Sequence, residues 1–250
     1  MKILLLLFLA TTQYLFALIS IVPVEIGANP GLHGKFNASL ETKRGNTYKD
    51  TYSGGLKLIY DTNTSDVIWA EVSGEYAEVE KKVDTSKSYL HLRHIHALTP
   101  EDIRVEAFVQ AQDDKFRNIN RRLLAGGGLR FKIFEILKNG HGYVGVGGLY
   151  ETVKYTDPLD NPNEENVRFN SYFAYTVTFG EDSSFSYSLF YQPKYNNFSD
   201  YVKAHKLNLE LHVYKELYLN FRVSWDVDTK PAVNVRDYDF YQETAFVLKF

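Results

Sequence analysis

Residues 238–250 alternate with a period of two. Tyr238, Phe240, Gln242, Thr244, Phe246, Leu248 and Phe250 fall on one face; Asp239, Tyr241, Glu243, Ala245, Val247 and Lys249 fall on the other. A period of two belongs to a β-strand. Aromatics at both ends of a largely apolar face suit a strand that crosses lipid between two interfacial girdles. A terminal strand docked in a soluble sheet carries a similar pattern, although chain ends that fray into water are usually polar. The pattern narrows the fold to all-β and leaves two architectures in competition.

The opposite end favours export. Lys2 precedes the apolar run of residues 3–10, and Thr11-Thr12-Gln13-Tyr14-Leu15-Phe16-Ala17 follows. Residues 1–17 are expected to be a secretory signal peptide cut after Ala17, with Leu15 a poorer choice three places before the cut than a small residue. The chain has no cysteine, which excludes lipoprotein anchoring and a disulfide framework. Beyond residue 17 no run approaches the ~20 apolar residues of a spanning helix, so a membrane-integral form must be a barrel. Residues 18–250 hold no Pro/Ser-rich linker or low-complexity tract and are expected to form one domain. A formal net charge of −3, more negative still once Lys2 is removed, gives no basic stripe for nucleic acid.

About twelve strands are predicted, at 31–43, 50–61, 66–77, 87–98, 101–111, 121–134, 141–153, 166–179, 184–192, 203–214, 216–228 and 236–250. Several alternate cleanly: Leu217, Leu219, Phe221, Val223, Trp225 and Val227 oppose Tyr218, Asn220, Arg222, Ser224, Asp226 and Asp228. The segment 87–98, with His91, His94 and His96, shows no clean face. Links after even-numbered strands are short (62–65, 99–100, around 139–140, 181–183 and 215). Those after odd-numbered strands are expected to be longer (44–49, 78–86, 112–120, 154–165, 193–202 and 229–235). This order suits an up-and-down outer-membrane barrel with both termini on one side, and a Greek-key sandwich does not produce it.

The segment Asn120-Arg121-Arg122-Leu123-Leu124-Ala125-Gly126-Gly127-Gly128-Leu129-Arg130-Phe131 resembles the central motif of the salt-induced outer-membrane protein family, Gram-negative barrels grouped as a domain of unknown function. The likeness in layout runs from about Leu32 to Phe250. It implies location and fold, and no activity, so it carries over no catalytic residue. A last strand closing on Phe likewise resembles the signal that the bacterial barrel-assembly machinery reads, here Tyr238, Phe240, Phe246, Leu248 and Phe250.

Charges on the face opposite the apolar one are expected to line a lumen: Lys35, Glu41, Lys57, Glu71, Glu75, Arg104, Glu106, Arg122, Arg130, Lys132, Arg168, Glu210, Arg222, Asp226 and Glu243. Both signs occur, whereas a strongly selective pore favours rings of one sign. Such charges can pair across a narrow barrel and fill it. The loop 154–165 is the one expected to fold inward. Gly126-Gly127-Gly128 and Gly145-Val146-Gly147-Gly148 match no phosphate-loop pattern and lie inside strands, where glycine makes room for a crossing side chain. His94 and His96 share a face but lack an identifiable third ligand, so no metal is assigned. His212 and Ser224 sit on adjacent strands without a nucleophile motif, so an outer-membrane hydrolase ranks last and no catalytic residue or cofactor is assigned. The expected function is a small passive pore, with a closed structural or envelope-stress barrel as the alternative. Expected partners are outer-membrane lipid, the assembly machinery and small solutes or ions, for a monomer whose closed sheet has no free edge.

Overall fold

Consecutive segments with period-two alternation can each pair with the next, and here the chain continues until the sheet closes on itself. The computed structural model describes residues 26–27, 29–43, 48–98, 102–136, 139–180 and 182–249. Among them are twelve strands: β1 (Gly31–Lys43), β2 (Lys49–Asp61), β3 (Asp66–Val79), β4 (Lys82–Ala97), β5 (Ile103–Asp114), β6 (Ile119–Ile136), β7 (Gly140–Tyr155), β8 (Glu164–Phe179), β9 (Ser183–Lys194), β10 (Asn197–Tyr214), β11 (Leu217–Asp228) and β12 (Tyr238–Lys249). Each pairs antiparallel with its sequence neighbours, and β1 meets β12 to close the barrel. The expected signal peptide, Phe250 and the Glu41 side chain lie outside the described residues.

The outer wall is apolar. Leu32, Phe36, Ile68, Val72, Leu90, Leu92, Val109, Leu123, Leu129, Val146, Val167, Phe169, Phe240, Phe246 and Leu248 are all exposed on it. A water-soluble domain does not leave a surface of that extent uncovered. Lipid covers it at no cost, and closure leaves no unpaired strand edge in the hydrocarbon. The architecture is an outer-membrane-type β-barrel.

The strands run further than their apolar alternation. The β3–β4 link is only Glu80-Lys81, both with positive φ (51° and 63°), the conformation of a tight two-residue hairpin. It replaces the expected loop 78–86. The β9–β10 link is Tyr195-Asn196, not 193–202. Between β5 and β6 the expected loop 112–120 shrinks to a 3-10 turn, Lys115–Arg117, followed by Asn118. The Asp114 carboxylate caps this turn by accepting from the Phe116 and Arg117 amides at 3.1 and 3.3 Å. The physical reason is that a ladder projecting beyond the lipid stays hydrogen-bonded while nothing requires either face to be apolar. Only β7–β8 and β11–β12 are joined by long loops at this end.

The seam is the weakest part of the sheet. Its register consists of Lys35↔Lys249 and Phe36↔Leu248, whereas β1 pairs with β2 along its whole length. A side-chain clasp reinforces it: Glu210 on β10 accepts from Lys35 of β1 at 3.0 Å and from Lys249 of β12 at 2.7 Å. Glu210→Gln removes the charge that holds two adjacent lysines. It is expected to cost about 1–3 kcal/mol, the scale of a charged hydrogen bond left unmade, read from the urea midpoint of the folded barrel. An unchanged midpoint would show that the clasp does not close the seam.

Candidate functional site

The barrel interior divides into two halves of different character. Along β1–β3 and β10–β12 several inward charges pair while keeping part of their side chains accessible. Arg222 meets Glu243 at 3.2 Å and Lys57 lies 4.0 Å from Glu71, while Lys87 of β4, only 8% exposed, meets Glu75 at 3.3 Å. Arg222 and Lys35 keep 42% and 39% of their side chains accessible although both point inside. Water therefore reaches this side of the barrel.

Along β3–β10 the interior is packed. Val67, Trp69, Ile95, Phe108, Leu124, Leu149, Tyr172, Phe190 and Val202 form one buried apolar cluster inside the barrel. Glycines make the room: the Tyr172 ring lies over Gly145 so closely that a Cβ there would sit 2.0 Å from a ring carbon, and Phe108 crowds Gly126 in the same way. Against this cluster Arg93 pairs with Glu106 at 3.0 Å, with side chains 0% and 2% exposed. The Arg93 guanidinium also lies over the Phe108 and Trp69 rings, 4.7 and 5.3 Å from their centroids. Arg130, fully buried, stacks on Tyr143 at 4.2 Å, with Arg104 5.6 Å from the same ring. Cation–ring contacts of this kind are worth about 2 kcal/mol when desolvated. They offset part of the cost of burying a guanidinium whose three nitrogens have no hydrogen-bond partner among the described residues.

At the long-loop end a chain of ion pairs runs along the inner wall from strand to strand. Glu151 accepts from Arg122 Nε at 2.8 Å, Arg168 Nε at 2.7 Å and the Asn166 amide at 3.2 Å. Arg168 continues to Asp200 at 3.1 Å; Lys194 then joins Asp200 at 2.7 Å to Glu164 at 3.3 Å. Above this network lies a cavity lined also by Arg117, Asp228, Lys230 and Arg236. The β11–β12 loop covers it, not the expected 154–165 loop. Asn161 of that other loop instead pins the cover, its Oδ1 accepting from the Val233 amide at 2.6 Å.

The sequence-predicted lumen residues fall into these groups. Arg222 and Glu243 line the wet half, and Glu210 clasps the seam beside it. Arg104, Glu106 and Arg130 belong to the packed half. Arg122 and Arg168 belong to the end network. Lys132 pairs locally with Glu135 at 2.9 Å. Asp226 is buried, and neither carboxylate oxygen has a hydrogen-bond partner among the described residues. Tyr238, Phe240, Phe246 and Leu248 are exposed on the outer wall.

His212 and Ser224 do not come together. His212 stands opposite Tyr218 while Ser224 stands opposite Lys206, about 20 Å along the strand at 3.3 Å per residue. The three neighbouring histidines also diverge. His91 is buried inside, between Tyr89 and Phe108, whereas His94 and His96 face outward and share Asp66 Oδ1 at 2.7 and 2.8 Å.

Sequence reasoning missed Arg93, Glu151 and Asp200. Arg93 sits in the segment without a clean face, and Asp200 lay in a stretch taken for loop. Glu151 was legible, since it shares parity with the inward Tyr143 and Gly145.

No match is found among the curated proteins. Solved structures similar to this chain include a bacterial polysaccharide outer membrane secretin (10% identity, TM-score 0.46, covering 88% of this chain and 97% of that one). Another is the NanC porin (13%, 0.47, 88% and 98%). A third is the translocator domain of the autotransporter NalP from Neisseria meningitidis (8%, 0.43, 89% and 88%). Residues 36–250 match the model of the family described as protein of unknown function, DUF481, and the chain belongs to that family.

Proposed function

We propose that the protein is an exported barrel of the Gram-negative outer membrane that passes small ions or solutes along a narrow path beside its seam, as a monomer and without enzymatic activity. The short links, with the two chain ends, would face the periplasm and the long loops the exterior. The finer resemblance to the salt-induced outer-membrane proteins is part of this proposal. The observation that carries it is the accessibility of Arg222 and Lys35 inside the barrel, against the dry Arg93–Glu106 pair across the interior. A path lined by paired charges of both signs supports low conductance and weak selectivity, because no ring of one sign is built.

Arg222→Ala removes one side of the constriction and leaves Glu243 facing the path. Single-channel current is expected to rise and its selectivity to shift toward cations. Unchanged current and selectivity would show that Arg222 does not line the route.

A second reading, a closed structural barrel, is favoured by the buried apolar cluster between β3 and β10. In that reading the wet half is a blind cleft and the folded protein carries no current. The absence of hydrolysis is checked with a lipase assay on Ser224→Ala and His212→Ala. Activity in the parent that both variants lose would overturn that part of the proposal.

A further inference from the structure

The seam is in register only at its base. Lys35↔Lys249 and Phe36↔Leu248 lie toward the short-link end, whereas β12 stays in register with β11 from Tyr238 to Leu248 and β1 with β2 along its length. Continuing the seam register would set Ala38 opposite Phe246, Leu40 opposite Thr244 and Thr42 opposite Gln242, but β1 and β12 make none of these pairs. The two strands therefore part toward the long-loop end. Leu40 and Phe246 are 67% and 64% exposed, against 51%, 43% and 48% for Leu90, Leu123 and Val146 on the continuous wall. Cross-strand side-chain pairs stabilise a sheet, and the small Ala38, Ser39 and Ala245 offer little to pack across the gap.

An unpaired strand edge is tolerated at membrane depth only where it lines water. Here it borders the wet half: Arg222 and Lys35 are accessible inside, and Ser39, on the inward face of β1, is exposed. The outer lip is polar as well, with Gln242 and Thr244 exposed between Phe240 and Phe246. Behind this lip Glu243 meets Arg222 at 3.2 Å, their side chains 19% and 42% accessible. The neighbouring inward charges have opposite partners: Lys57 has Glu71, Lys87 has Glu75, Lys35 and Lys249 share Glu210, Arg117 has Asp239, and Lys206 lies near Asp226. An accessible ion pair can exchange its partners for the two ends of a zwitterion and leave no charge unmatched. Arg222 suits a phosphate through its forked donors, and Glu243 suits a cationic amine.

We propose that the upper seam is a lateral slot that admits a zwitterionic phospholipid from the membrane, its phosphate on Arg222, its amine on Glu243 and its acyl chains in the gap between Leu40 and Phe246. The inference rests on the wet half being open to water and not on its carrying current.

The test uses folded protein in liposomes doped with a phosphatidylcholine that carries a photoreactive diazirine near its glycerol, heat-dependent gel mobility establishing folding. Adducts are expected on the inward Ser39 and Ala245 as well as on the outer wall. Arg222→Gln with Glu243→Gln should lower the inward adducts about tenfold, as expected when charge-assisted contacts are lost, and leave those on the outer wall unchanged. The chain has no cysteine, so introduced pairs report the gap itself. Phe36→Cys with Leu248→Cys should form a disulfide. Leu40→Cys with Thr244→Cys, on the same face, should not, because bridged Cα atoms must lie within about 7 Å. Closing the latter pair with a short bifunctional thiol reagent should abolish the inward adducts. A spontaneous disulfide between positions 40 and 244, adducts confined to the outer wall, or stronger inward labelling by a phosphatidylglycerol bearing the same group would overturn the proposal. Disulfides between two protein molecules at these positions would assign the open edges to a second copy instead. Bilayer recordings of the same sample keep the two proposals apart. Inward adducts without current sink the pore and leave the slot; current without them does the reverse.

Discussion

Glu151→Ala is expected to lower the unfolding free energy by about 3–5 kcal/mol, the scale for breaking a buried ion pair by removing one partner. The carboxylate is 1% exposed and accepts from two guanidiniums and one amide. Its loss leaves Arg122 without an ion-pair partner among the described residues and strips Arg168 of the nearer of its two carboxylates. Both arginines stay buried, so water can replace the lost contacts only from the small cavity above them. The measurement is the urea midpoint of the folded barrel in liposomes. Glu165→Ala serves as control: that side chain is exposed on β8 and among the described residues bonds only the Tyr150 hydroxyl, and surface truncations of this type fall within about 0.5 kcal/mol. If the two variants lose the same stability, the network at the long-loop end does not hold the barrel together.

Gly145→Val is expected to cost at least about 1–3 kcal/mol through overpacking. The added Cβ would overlap the Tyr172 ring, which is itself locked between the sheet and Phe190, with ring centroids 5.4 Å apart. The ring cannot swing away without opening the apolar cluster. Pairing the change with Tyr172→Ala removes the obstacle, so the double variant should be more stable than the sum of the two losses implies, the non-additivity expected of residues in contact. Strict additivity would mean that the ring does not rest on Gly145.

The alternation of β11, β12 and residues 206–214 of β10 could be followed in the sequence, because there the lipid-facing side is largely apolar and the inward side largely polar. The β4 strand was opaque for the opposite reason. Its outer face carries His94 and His96 below Leu90 and Leu92, and its inner face carries Ile95 between Arg93 and Ala97. Neither side looks apolar from sequence, although the ladder with β5 is regular and that with β3 shifts register only between Ala77 and Glu78. Link lengths misled for a related reason, since a hairpin that has left the lipid loses its alternation before it loses its hydrogen bonds.

The candidate site was legible only as a set of charges. Parity places a residue inside the barrel but not at a depth or beside a partner. Nothing in the sequence shows that Glu151 serves two arginines, or that Lys35 and Lys249 meet on Glu210 across the seam. The buried cluster was hidden as well, because Phe108 and Phe190 interrupt inward faces whose other members are polar, and Val67 and Trp69 share theirs with Glu71, Ser73 and Glu75.

Planar-bilayer recording of the refolded protein tests the central claim most directly, with heat-dependent gel mobility verifying that the sample is folded. A narrow charge-paired path predicts small discrete current steps with weak ion selectivity. Silence from folded protein would contradict the path and assign the wet half of the interior to a blind cleft in a closed barrel.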